Sequence, residues 1–121
     1  MYMFYWLLSL ENENHEFEDI ANPGWDKILS SFKLLSEQKL QSLTLFASHD
    51  NRKGQLYLEA QQGEKVLVMF SEFSENDEVG THWELKESSN SQVKMSFAEK
   101  VLKKFFDERK LDRNLEWQRI N

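Results

Sequence analysis

Leu43-Thr44-Leu45-Phe46-Ala47-Ser48, followed by Asp50-Asn51-Arg52-Lys53-Gly54 and then Leu56-Tyr57-Leu58-Glu59-Ala60, is the stretch that decides the fold. Leu43, Leu45 and Ala47 alternate with Thr44, Phe46 and Ser48, and Leu56, Leu58 and Ala60 alternate with Tyr57 and Glu59. A period of two sends successive side chains to opposite faces of a strand, and a short polar segment with Gly between two such runs is a hairpin signal. Working outward, Gln62-Gly63 marks a second tight turn, and Lys65 to Phe73 forms a third strand with apolar residues on both faces. Ser74 to Gly80 reads as a polar loop. Thr81 to Lys86 is a fourth strand carrying Trp83 and Leu85, and Gln92 to Met95 a short fifth. Turns of hairpin length make this meander antiparallel.

Helical periods flank it. Asn22-Pro23 has the form of a helix start, Asn as N-cap and Pro in the first turn, ahead of Trp25, Ile28, Leu29, Phe32 and Leu35 at helical spacing to about Gln38. Ser96 with Glu99 forms a capping-box pattern, and Ala98, Val101, Leu102, Phe105 and Phe106 then make one apolar stripe. Tyr2 to Leu10 is an aromatic-rich strand expected to be buried on both faces or nearly so. The order is strand, helix, meander, helix, short tail. The expected fold is α+β: an antiparallel sheet of about five or six strands with two helices packed on one face.

A chain of 121 residues forms one domain, residues 1–121, around a single core. With 40% hydrophobic residues, nine Phe and four Trp it folds rather than remaining disordered. There is no cysteine, so disulfide, thiolate and Cys-ligated metal chemistry are excluded. The apolar start lacks a basic leader and is half the length of a membrane span, which suggests a strand and a cytoplasmic protein.

The formal net charge of −6 is clustered. Glu11, Glu13, Glu16, Glu18 and Asp19 lie in one stretch without Lys or Arg, as do Glu72, Glu75, Asp77, Glu78 and Glu84 in another. Phosphate affinity needs positive charge at the contact, so nucleic acid is a poor partner and a basic protein a good one. Bases gather on the last helix, where Lys100, Lys103 and Lys104 suit the helix dipole and Glu99 can pair with Lys103.

Catalytic signals are sparse. His15, His49 and His82 are not spaced as metal ligands, although His49 with Asp50 or His82 with Glu84 could form one edge of an acid–base pair. Gly24, Gly54, Gly63 and Gly80 stand singly, so no phosphate loop is formed. The expectation is no catalytic residue, no metal site and no cofactor. Trp83, flanked by His82 and Glu84, points to the core or to solvent depending on register. Facing solvent beside acids, it would have the composition of a binding hot spot.

The Trp25-bearing helix, Leu43-Thr44-Leu45, Gly54-Gln55-Leu56-Tyr57-Leu58, the Phe105-Phe106 helix and Leu115-Glu116-Trp117 together resemble a family of small bacterial immunity proteins. Those proteins silence toxins of contact-dependent and other polymorphic toxin systems, nucleases and nucleic-acid deaminases among them. Many members carry Arg-Pro or Gly-x-x-Pro where this chain has Leu111-Asp112-Arg113-Asn114. The resemblance implies a non-enzymatic protein that occludes its cognate toxin's active site, with no nucleic acid and no membrane as partner. The docking residues expected from the acid pattern are Glu72, Glu75, Asp77, Glu78, Trp83 and Glu84, with the acidic stretch Glu11 to Asp19 as rival. The alternative is a small-molecule or peptide-binding adaptor with a pocket between helix and sheet lined by Trp6, Trp25 and Trp83.

Overall fold

In the computed structural model the described residues are 4–49, 52–74, 77–108 and 112–120. The elements run β1 (Phe4–Glu11), β2 (Phe17–Ala21), α1 (Trp25–Ser36), β3 (Ser42–His49), β4 (Arg52–Ala60), β5 (Lys65–Ser74), β6 (Asp77–Lys86), β7 (Gln92–Lys94), α2 (Met95–Glu108) and β8 (Glu116–Arg119). All strand pairs are antiparallel and form one eight-stranded sheet in the order β2-β1-β3-β4-β5-β6-β8, with β7 pairing the start of β5. The class is the expected α+β, and the sheet is larger than expected. Two strands account for the difference. β2 takes the end of the acidic stretch, and β8 takes the tail, where Trp117 pairs with Leu85.

One face of the sheet is dry. Trp6, Leu8 and Leu10 of β1, Leu43 and Leu45 of β3, Leu56 and Leu58 of β4, and Val66, Val68 and Phe70 of β5 are buried there with Leu85 and Val93. Ile28, Phe32 and Leu35 of α1 and Ala98, Val101, Leu102 and Phe105 of α2 close over them. Burying a Leu or Val side chain contributes roughly 1.5–3 kcal/mol each, which makes this layer the main source of stability. Aromatic rings form a chain through it: Trp25 to Phe106, Phe106 to Trp6, Trp6 to Phe105 and Phe105 to Phe70, at centroid separations of 5.8, 5.2, 5.6 and 5.7 Å. The Trp6–Phe105 and Phe105–Phe70 contacts are edge-on, the arrangement favoured by the ring quadrupoles.

Several local expectations are corrected. β1 is buried on one face only, with Tyr5 exposed and Leu7 and Ser9 half-buried, because the helices cover one side of the sheet. The N-cap of α1 is Gly24 and makes no side-chain cap bond. Asn22 instead adopts φ 49° and ties the end of β2 to β1: its Oδ1 accepts from the Trp6 N–H at 3.1 Å and its own N–H donates to the Trp6 carbonyl at 2.7 Å. α2 begins at Met95, whose N–H reaches the Glu64 carbonyl, so Ser96 lies inside the first turn and the Ser96–Glu99 capping box does not form. Lys103 pairs with Asp107 at 3.1 Å rather than with Glu99. The polar loop from Ser74 to Gly80 is mostly strand, since β5 runs to Ser74 and β6 starts at Asp77, with a register shift between Glu72 and Ser74.

Candidate protein-binding surface

The described residues among those expected to dock a partner lie on β5 and β6. Glu72 is exposed near the end of β5. Glu75 lies outside the described residues, and Asp77 and Glu78 are placed only by their position in β6. Trp83 shares a face with the buried Leu85, two residues on, and packs on Phe70 at 5.8 Å, so its ring joins the margin of the core. Glu84 points the other way and is held by Lys86 at 2.9 Å, both side chains more than four-fifths buried. Glu84 therefore faces away from Trp83, whereas Glu72, opposite Thr81, stands on the Trp83 side of the sheet.

His82 lies on the same side as Glu84. Its Nε2–H donates to the Val79 carbonyl at 2.9 Å, so in the neutral ring Nδ1 accepts the Ser71 hydroxyl at 2.6 Å. Phe73 meets the His82 ring edge-on at 5.6 Å. Ser71 is only 5% exposed, which leaves its oxygen little access to an external electrophile. The pair stitches β5 to β6. Among the described residues no group of three or more His, Asp or Glu side chains is placed to hold a metal ion.

Of the tryptophans expected to line a pocket, Trp6 packs on Phe105 and Phe106, and Trp25 lies on Phe106 with Lys103 Nζ 4.8 Å from its ring centroid. The open groove beside Trp25, about 440 Å³, runs between the two helices over Leu29, Lys100 and Lys103 and not between helix and sheet. A second, of about 460 Å³, is a polar trough at one end of the sheet bordered by Gln38, Gln41, Gln61, Glu13 and Glu59.

Two further features stand out. The first is the acidic corner of the sheet, the β1–β2 hairpin. Asn12 Oδ1 accepts from the N–H groups of Asn14 and Glu16, an Asx turn that lets His15 take φ 61° and reverses the chain in a few residues. Glu13, Glu16, Glu18 and Asp19 are exposed there, and no Lys or Arg among the described residues bridges them. Glu11 is more enclosed. Its carboxylate meets His15 Nδ1 at 2.9 Å and accepts from Ser42 Oγ at 2.8 Å, and these bonds hold its pKa below the ordinary carboxylate value.

The second is Tyr57, in the middle of β4. Burial above all, and then the neighbouring Glu59 carboxylate, push its phenol above the usual tyrosine value, so it stays a neutral donor beside the acids. Sequence reading gave Tyr57 no binding role; its neighbours on β3 and β5 become visible through the register, Thr44 on one side and Met69 on the other. Compared with protein-family models, with curated proteins and with solved structures, the chain matches none.

Proposed function

We propose that this protein is a non-enzymatic immunity protein that binds a cognate bacterial toxin, a nuclease or nucleic-acid deaminase, and occludes its active site. The reading rests on the resemblance of the segments from Trp25 to Trp117, and one structural observation carries it: the acidic β1–β2 corner, where Glu13, Glu16, Glu18 and Asp19 project without a cationic partner among the described residues. An enzyme acting on nucleic acid needs a positively charged cleft to hold phosphates. A rigid surface of opposite charge is drawn to such a cleft, and the attraction speeds encounter and orients it. Protection further requires slow release, which comes from a few desolvated anchors rather than from charge.

The protein would act in the cytoplasm, beside the nucleic acids it protects. No helix among the described residues is long and apolar enough to cross a membrane. The test is co-expression with the toxin domain encoded beside the gene. Growth is restored, and in a purified assay toxin activity falls linearly to zero at one equivalent of this protein. Inhibition far below one equivalent, or no rescue of growth, contradicts the reading.

A further inference from the structure

Antiparallel sheets covered on one face usually turn a polar face to water. Here the uncovered face carries a continuous apolar line. Leu7 of β1 stands opposite Phe46 of β3, Tyr57 of β4 lies diagonally next to Phe46 and opposite Met69 of β5, and Leu67 follows two residues along β5. All five are half-buried although no helix lies above them. Single apolar residues on a surface need no explanation, whereas a contiguous line does. One flank of the line is acidic: Asp19 shares a cross-strand row with Tyr57 through Ser9 and Thr44, and Glu11 and Glu59 stand on either side of Ser42 in the next row.

We infer that this open sheet face is the surface that seats the partner, and that the partner is a basic protein presenting an apolar ridge bordered by Lys or Arg. The inference rests on the proposed immunity role and specifies where that role is carried out. Three physical arguments select the occupant. Seven strands about 4.8 Å apart, the long ones β1, β3, β4, β5 and β6 of 8, 8, 9, 10 and 10 residues at about 3.3 Å each, give a face of roughly 30 by 30 Å, close to the ~800 Å² per side of a stable complex. Glu11 is already held by His15 and Ser42 and keeps its charge at neutral pH, so its geometry needs no rearrangement on docking. A second copy is disfavoured because it would bring two bodies of net charge −6 together, whereas a basic partner gains from the same field.

The experiment uses the wild-type complex with the adjacent-gene toxin and measures association and dissociation rates. Phe46→Gln with Met69→Lys is expected to speed dissociation and lower affinity by about 30-fold or more, the scale of a central anchor. Asp19→Asn with Glu59→Gln is expected to slow association several-fold at low salt and to converge on wild type at high salt. Lys100→Glu, on the opposite side of the molecule, leaves both rates unchanged. Circular dichroism checks each fold, and the single Met69→Gln change, expected to weaken binding in the same direction, serves should the double variant unfold. A complex that forms normally with every open-face variant overturns the surface while leaving the immunity role standing, as does weakening confined to Glu72→Lys at the β5–β6 hairpin. Failure of the wild-type protein to bind the toxin overturns the role itself and the surface with it. A concentration-dependent dimer that disappears in Phe46→Gln/Met69→Lys assigns the face to a second copy and also overturns the inference.

Discussion

The two faces of this sheet are built from the same strands and differ in what lies over them. On β3, Leu43 and Leu45 are fully buried beneath the helices, while Thr44, Phe46 and Ser48 at the alternate positions are only half-buried. On β4 and β5 the same beat sets Leu56, Leu58, Val66 and Val68 inward and Tyr57, Leu67 and Met69 outward. Apolar side chains on the covered face hold the fold. Apolar side chains on the open face are lateral neighbours of one another and are free to be covered by something else. On the proposed reading, stability and recognition are thus divided by parity along each strand.

The largest expected effect that tests this division is in the covered layer. Leu58→Ala, at a fully buried site enclosed by strands and helices, is expected to cost about 2.5–5 kcal/mol in chemical unfolding, because a cavity remains where the side chain was. A loss below about 1 kcal/mol would mean that the layer is not close-packed. Next comes Gly80, at φ 77° on β6, where an added Cβ would meet the Phe73 ring at 2.5 Å and the Glu72 carbonyl at 2.9 Å. Gly80→Ala is expected to destabilise by about 1–3 kcal/mol through backbone strain and crowding, read as a lower thermal midpoint.

Phe46→Gln on the open face is the sharper comparison. Its expected cost is within about 1 kcal/mol, as for a substitution that opens no enclosed cavity, and a loss as large as that of Leu58→Ala would break the division. The smallest effect is a pH dependence. Glu11 has a folded pKa below its unfolded one, so its bonds to His15 and Ser42 contribute stability above the ordinary carboxylate pKa, and that contribution is lost as pH falls through the lowered value. Ser42→Ala is therefore expected to be less stable than wild type at neutral pH, to lose that difference in acid, and to raise the Glu11 pKa in an NMR titration.

Much of the fold was legible because long strands and amphipathic helices announce themselves by period. The alternation over Leu43 to Ala60 and the stripe from Ala98 to Phe106 read correctly for that reason. β2 and β8 did not. Both are short edge strands, Phe17-Glu18-Asp19-Ile20-Ala21 and Glu116-Trp117-Gln118-Arg119, held by backbone pairing; the apolar residues of β2 do not alternate and β8 has only Trp117, so neither carries a period-two pattern. Asn22 misled because a residue favoured at N-caps also tolerates positive φ, and here it uses its side chain across strands instead. Trp83 was legible in principle, since it and Leu85 share one side of β6. The open-face line was present in the sequence as Phe46, Tyr57 and Met69 at the off-beat positions. Its continuity depends on the register between three strands, and no single segment encodes that.

The measurement that tests the division most directly is a methyl NMR titration with the toxin domain. Leu7, Leu67 and Met69 report the open face, and Leu8, Val66 and Val68, their neighbours along the same strands, report the covered one. The first three are expected to shift or broaden to completion at one equivalent while the second three stay near their free positions. Unperturbed Leu7, Leu67 and Met69 signals in a fully formed complex would contradict the division.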